Sequence, residues 1–225
     1  MTAEWLSQLY RDRKSVRAFD PTPLERSELE SLFADAQQAP SWCNIQPWQV
    51  RVTCGAVTQV ISGALLEAAQ AGLPAPDIGF PMDYPEPYKA RRRACGAALY
   101  GAMGVERGDR DGRWKAWLRN YELFDAPHLA VVSRDRRLGE YATLDVGVWL
   151  GFLFTAAAAR GIAMCAMASV AAYPEPLRSH LDIPESEQIL FGVTIGRERT
   201  EAPANRCRTA REDVREWVRF VGLDT

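Results

Sequence analysis

The sequence is poor in the residues that build most metal and acid–base sites. It holds two histidines, His128 and His180, too few to favour a His-based metal site or a catalytic triad. Its five cysteines are an odd number and include no C-x-x-C pair, which argues against zinc and against a disulfide framework. We therefore expect no metal, and a reducing, cytoplasmic environment.

An excess of charge of one sign and long apolar runs are also missing. With 27 basic and 29 acidic residues the net charge is −2, so no basic field would attract nucleic acid. The longest apolar run, 146–159, is shorter than the roughly 20 residues of a membrane span, which favours a buried helix packed on every side. The first residues lack the pattern of a secretory signal. We expect neither a nucleic-acid nor a membrane partner.

The common nucleotide and hydrolase signatures are absent. No G-x-G-x-x-G follows a strand pattern, and no P-loop motif occurs. The segment 192–196 (GVTIG) imitates a nucleophile elbow, but it lies within a strand pattern and precedes Arg-Glu-Arg instead of a helix. Rossmann, P-loop and hydrolase sites are therefore unsupported.

Length and patterning predict one α+β domain over residues 1–225. The predicted strands are 48–54, 127–133 and 188–196, and the longer predicted helices are 57–68, 88–103, 113–124 and 141–160. Residues 73–88 carry five prolines and should form a loop, of a length that often has a functional role.

Two arginine clusters lie near opposite ends of the chain. Arg13, Ser15 and Arg17 alternate, so in an extended segment their side chains share one side and suit a phosphate. Taken alone, however, this segment is better explained by a solvated basic patch at a helix end. The second cluster matters only if the termini meet; it consists of Arg206, Arg208 and Arg211.

The segment 39–48 (APSWCNIQPW) combines two prolines, two tryptophans and amide side chains. Such a rigid turn could present hydrogen-bond donors to a flat heterocycle, or it could be a well-packed structural loop. The run 91–93 (RRR) is typical of a solvated helix face.

Together, the segments 13–20 (RKSVRAFD), 39–48 and 205–211 (NRCRTAR) resemble the FMN-dependent nitroreductase family, in order and spacing, from about residue 5 to residue 220. The resemblance implies an α+β fold, a central, mostly antiparallel sheet flanked by helices. It also implies an intertwined homodimer with two FMN sites at its interface. The C-terminal tail, about 203–225, would embrace the partner subunit, and the loop 73–88 would vary.

The resemblance also implies the cofactor contacts. The phosphate and ribityl chain would be held by Arg13, Lys14, Ser15 and Arg17, with Arg211 or Arg208 closing the site. The isoalloxazine would be reached from the other subunit by Pro40, Ser41 and Asn44. Backbone groups at Ala168 and Ser169 would face N5 and the pyrimidine edge, and no side chain would be catalytic.

Three residues in two segments depart from the family pattern. Cys43 stands where a glycine is common, and Ala166 and Met167 replace the proline and polar residue that many members have before the N5 loop. The first change bears on backbone freedom beside the ring.

The implied activity is transfer of hydride from NADH or NADPH to a small nitroaromatic or quinone-like acceptor, with ping-pong kinetics. Two alternatives remain at this point. One is a specialised flavin-dependent dehydrogenase, dehalogenase or flavin-fragmenting enzyme of the same family, and the other is a flavin-binding protein without turnover.

Overall fold

The computed structural model describes residues 2–223. The helices are α1 (Ala3–Asp12), α2 (Arg26–Ala36), α3 (Ala56–Ala71), α4 (Tyr88–Ala102), α5 (Arg110–Leu118), α6 (Gly139–Ala159) and α7 (Pro174–Leu181). The strands are β1 (Phe19–Asp20), β2 (Gln49–Val52), β3 (His128–Asp135), β4 (Ala163–Met167) and β5 (Glu187–Glu198).

The sheet is built around β5, its longest strand. β3 pairs antiparallel with one edge of β5, and β2 extends the sheet beyond β3. β4 and the short β1 pair antiparallel with β5 on the other edge. The predicted α+β architecture, a mostly antiparallel sheet flanked by helices, is confirmed.

Both faces of the sheet are buried, each against its own apolar cluster. Along β3, Leu129 and Val131 belong to one cluster, whereas Ala130 and Val132 belong to the other. Successive side chains of a strand point to opposite faces, so a strand covered on both sides must be apolar throughout. This requirement explains why the central strands were recognisable as continuous apolar segments.

Helix α6 lies on the second face with only one side buried. Val146, Trp149 and Leu153 are fully or almost fully buried, whereas Leu144 and Phe152 on the opposite side are 64% and 41% exposed. The segment Arg136–Ala159 is long and apolar enough to cross a membrane by length and composition, a test that the core helix of a soluble protein also passes. The expectation that α6 packs on every side is wrong for a single chain, because a helix on a sheet buries one side.

Two local predictions also differ from the structure. Strand β4 was not predicted, because its sequence AMCAM lacks β-branched and aromatic residues and owes its conformation to pairing with β5. The predicted helix 113–124 is observed as Arg110–Leu118, and the predicted end is not helical, since Leu123, Phe124 and Asp125 all have positive φ.

The proline-rich loop is fixed at one buried carboxylate. The loop contains no helix or strand up to Tyr88. Asp77 accepts hydrogen bonds from Arg178 Nη2 at 2.6 Å and from the Ile189 N–H at 2.7 Å. It also pairs with Arg136. These contacts attach the loop to the start of β5.

Candidate anion- and cofactor-binding site

The first arginine cluster is arranged by the segment that follows α1. The Val16 N–H donates to the Met164 carbonyl at 3.1 Å, and Ser15 bridges to Met164, so the segment runs along β4 in extended form. Val16 and Ala18 are buried in the protein. Because side chains alternate, Arg13, Ser15 and Arg17 point to the opposite side.

The C-terminal segment is brought to this cluster by Asn205, whose side chain is almost completely buried. Its Oδ1 accepts from the Arg17 N–H at 2.7 Å, and its Nδ2 donates to the carbonyls of Ala18 and Arg199 at 2.8 and 2.9 Å. A buried amide with all these partners fixes the register between two segments that are distant in sequence. The two termini therefore meet.

The first arginine cluster shares one cavity of about 550 Å³ with Arg208 and Arg211 of the second cluster, whereas Arg206 does not line it. Five arginines and a lysine line it, and no carboxylate among residues 2–223 does. The lining residues are Tyr10, Arg11, Arg13, Lys14, Ser15, Arg17, Cys95, Cys207, Arg208, Thr209 and Arg211. Within residues 2–223, none of Arg13, Arg17, Arg208 and Arg211 forms a salt bridge. Several guanidiniums converging without a counter-charge favour an anion site over a solvated patch.

The electrostatics agree with crowding of positive charge. Burial, and next the charge of Arg211, lower the pKa of the Arg13 guanidinium. On the other side of the cluster, burial raises the pKa of the Cys165 thiol, against the opposing effects of Arg17, Ser15 and Arg13. The charges of the two clusters thus act on each other across the cavity.

Lys14 is engaged differently from the arginines. Its Nζ lies 2.5 Å from Glu198 Oε1 and donates to the Asn205 carbonyl at 3.0 Å. The ammonium is already paired with a carboxylate, so the charge available to an anion comes chiefly from the guanidiniums.

The predicted ring-side segment follows β4. Ala168 is exposed, and Ser169 Oγ is buried without a hydrogen-bond partner in the described chain. A strand rises about 3.3 Å per residue, so Ala168 lies about 13 Å along the chain from the Ser15–Met164 bridge. An unpartnered buried hydroxyl at this place is available to a polar ligand atom.

The turn at residues 40–44 lies elsewhere, beside the start of α6. The Trp42 N–H donates to the Asp145 carboxylate at 3.1 Å, and Ser41 Oγ accepts from the Gln46 N–H at 2.9 Å. Cys43 and Asn44 have φ of 50° and 56°, in the left-handed region. Pro40 and Asn44 are exposed, and none of the predicted residues Pro40, Ser41 and Asn44 lines the arginine cavity.

Sequence reasoning assigned no role to several residues of the cavity. Arg11, Tyr10 and Thr209 flank predicted residues, whereas Cys95 comes from α4, a distant helix. Asn205 belongs to the segment 205–211, but nothing in the sequence indicates that its amide is buried. Only the tertiary contacts of these residues reveal them.

An antiparallel sheet flanked by helices thus carries an arginine-lined cavity, whose guanidiniums suit a phosphate-type anion. The chain belongs to the Nitroreductase family, whose model matches residues 10–197. It is 31% identical to a 4-nitrobenzoate reductase of Pseudomonas putida over 212 residues, covering 94% of this chain and 93% of that protein.

Two further similarities extend over nearly the whole chain. A nitrobenzene nitroreductase of Ectopseudomonas oleovorans is 29% identical over 98% of both chains. The crystal structure of the FMN-dependent nitroreductase NfnB from Mycobacterium smegmatis, in complex with NADPH, has a TM-score of 0.93 at 28% identity, covering 97% of this chain and 99% of that one.

Proposed function

We propose that this protein is an FMN-dependent oxidoreductase that uses NADH or NADPH to reduce nitroaromatic or quinone-like acceptors with ping-pong kinetics. The observation that carries the proposal is the cavity in which five arginines converge and which no carboxylate of the described residues lines. The similar proteins named above, two of them reductases of nitroaromatic compounds, support the assignment of the acceptor class.

The residues present fit FMN at its phosphate end. Arg13, Arg17, Arg208 and Arg211 supply guanidiniums that form no salt bridge within residues 2–223, and guanidiniums bind phosphate oxygens through charge-assisted hydrogen bonds. Ser15 adds a hydroxyl on the same side. When bound, FMN supplies the redox chemistry, and the protein supplies position and electrostatics.

The residues at the ring end fit as well. Ser169 Oγ is a buried polar atom without a partner, and in the proposed complex it is satisfied by a polar atom of the flavin. The backbone at Ala168 and Ser169 would lie along N5 and the pyrimidine edge. No titratable side chain is needed, because the positioning groups are backbone and hydroxyl donors.

The other side of the ring requires a second subunit in this proposal. The exposed side of α6 carries Leu144, Val148 and Phe152, and α1 adds Trp5 and Leu6 beside it. An apolar surface formed by two helices is typical of a homodimer interface. A second chain packed there would bring its turn at residues 40–44 to this chain's flavin.

The C-terminal tail adds to the same proposed interface. Between residues 214 and 223 it exposes Val214, Trp217, Phe220, Val221 and Leu223. We infer that the tail, about 203–225, embraces the partner, as part of a single domain over 1–225. Residues 1, 224 and 225 lie outside the described residues.

The first experiment combines an absorption spectrum of the purified protein with steady-state kinetics. We expect a flavin band, and NADPH consumption that depends on 4-nitrobenzoate, nitrobenzene or a quinone. Because donor and acceptor would use the same flavin in turn, double-reciprocal plots at several acceptor concentrations should be parallel. Intersecting plots would contradict the ping-pong scheme while leaving the cofactor assignment in place.

Two other results would redirect the assignment. Reducible flavin with no turnover of nitro or quinone acceptors favours a specialised dehydrogenase, dehalogenase or flavin-fragmenting enzyme. Bound flavin that NAD(P)H fails to reduce favours a flavin-binding protein without turnover.

A further inference from the structure

Two cysteines stand inside the arginine cavity. Cys95 reaches it from α4 and is exposed, and Cys207 reaches it from the C-terminal segment and is half-buried. Both are free thiols. The arrangement places two oxidisable side chains among five guanidiniums.

The remaining cysteines provide an internal contrast. Cys43 and Cys54 are also exposed and free, but neither lines the cavity. Cys165 lies near Arg13 and Arg17 but is buried in β4 and closed to solvent. Accessible thiol and clustered positive charge therefore coincide only at Cys95 and Cys207 among residues 2–223.

We propose that Cys95 and Cys207 form an oxidation site that controls entry of the flavin phosphate. This inference rests on the proposed function, because it assumes that the cavity holds the phosphate of FMN. The modifying reagent is hydrogen peroxide, and the product is a cysteine sulfinate.

The reaction balances in two equal steps. A cysteine sulfur attacks one peroxide oxygen, an S–O bond forms as the O–O bond breaks, and one water leaves, giving a sulfenic acid. A second peroxide repeats the step and gives the sulfinic acid. Sulfur is oxidised, each peroxide is reduced, and each contributes one oxygen to sulfur and one to water.

The sulfinate would close the cavity by occupying its charges. It is an anion with two oxygens, so a guanidinium can bind it in the bidentate manner used for carboxylate and phosphate. Cys207 is well placed for this, since its own carbonyl already accepts from Arg208 Nη1 at 3.1 Å. An anion held there repels the incoming phosphate, and a phosphate already bound shields both thiols.

The test uses apoprotein exposed to hydrogen peroxide, which is then removed with catalase. FMN and riboflavin are titrated into wild type, C95S/C207S and the matched control C43S/C54S, each before and after exposure. We expect wild type and C43S/C54S to lose FMN affinity by about tenfold or more, and riboflavin affinity to change much less. C95S/C207S should be unaffected.

Peptide mass spectrometry supplies the second measurement. Exposed wild-type apoprotein should carry two added oxygens at Cys95 or Cys207, and protein loaded with FMN beforehand should not. The proposal is overturned if C95S/C207S loses affinity as wild type does, or if wild type with a sulfinate at either site still binds FMN normally. Oxidation confined to Cys43 and Cys54 overturns it equally.

A failure of the proposed function looks different. In that case untreated apoprotein either does not bind FMN or binds FMN and riboflavin equally. The untreated titrations therefore separate the two hypotheses.

Discussion

The arginine-containing segments and the turn at residues 40–44 are the most distinctive motifs of the sequence. The fold joins the arginine-containing segments in one cavity but leaves the turn at the surface. The cavity is completed within one chain, because the buried amide of Asn205 joins the C-terminal segment to the segment after α1. The turn is held in a left-handed conformation at the surface, and Pro40 and Asn44 remain exposed.

This difference shows which part of the proposed FMN site a single chain can form by itself. A charged cavity forms wherever two segments are tied together by buried hydrogen bonds. The turn is exposed and does not line the arginine cavity of its own chain, which supports the proposal that it contacts the flavin of a second copy. The following predictions test this contrast, from the largest expected effect to the smallest.

The largest effect is expected from Leu144→Asp on the exposed side of α6. Leu144 is 64% exposed in a single chain, so the fold should tolerate the change. A homodimer interface of about 2,000 Å² would not tolerate an unpaired charge near its centre. We expect a folded monomer by sedimentation and circular dichroism, with turnover reduced about a hundredfold or more.

The matched control is Val60→Asp on α3, which also places a carboxylate at an exposed apolar position. It should leave assembly and turnover unchanged. A Leu144→Asp protein that remains dimeric and active would show that α6 is not part of the homodimer interface.

The next effect is expected from Asn205→Leu. The change removes three hydrogen bonds and leaves the Arg17 N–H without a partner, while the carbonyls of Ala18 and Arg199 each keep one backbone N–H donor. At about 1 kcal/mol for each lost bond, the free energy of unfolding should fall by on the order of 3 kcal/mol. Urea denaturation measures this loss. FMN affinity should fall as well, since the two arginine clusters are no longer held together.

Asn120→Leu is the comparison variant. The Asn120 side chain makes one hydrogen bond, to the Trp117 carbonyl at 2.8 Å, so its loss should cost only about 1 kcal/mol and spare FMN binding. Equal destabilisation by both variants would contradict the conclusion that Asn205 holds the C-terminal segment against the segment after α1.

A smaller and more selective effect is expected from Arg17→Ala. Removing one charge-assisted contact should weaken FMN binding about ten- to a hundredfold, while riboflavin, which lacks the phosphate, binds as before. Arg206→Ala is the control, because Arg206 lies in the C-terminal segment beside Arg208 and Arg211 but does not line the cavity. Unchanged FMN affinity in Arg17→Ala would indicate that these arginines form a solvated patch and do not bind the phosphate.

The smallest effect concerns Cys43→Gly in the turn. Cys43 has φ of 50°, a conformation that glycine adopts without the cost paid by other residues. We expect the free energy of unfolding to rise by about 0.5–1 kcal/mol, after the greater freedom of glycine in the unfolded chain is subtracted. Cys54→Gly, where φ is not positive, should instead destabilise the protein.

The sequence allowed much of the fold to be predicted, and particular residues show why the rest was not. The core strands β3 and β5 were recognisable because burial on both faces requires continuous apolar residues. Strand β4 was not, because AMCAM carries no β signal of its own and its conformation comes from pairing with β5. Likewise the apolar sequence of α6 did not reveal that one side is exposed in a single chain.

By itself the sequence determined the local chemistry of this protein: the alternation of Arg13, Ser15 and Arg17, the aromatic turn at 39–48, and the scarcity of histidine. These features depend on residue type and on spacing within a few positions. Tertiary structure alone decided that the two arginine clusters meet, that Lys14 is paired with Glu198, and that Cys95 enters the cavity from α4. Those contacts join residues far apart in the chain, and they depend on buried hydrogen bonds and packing that no local pattern encodes.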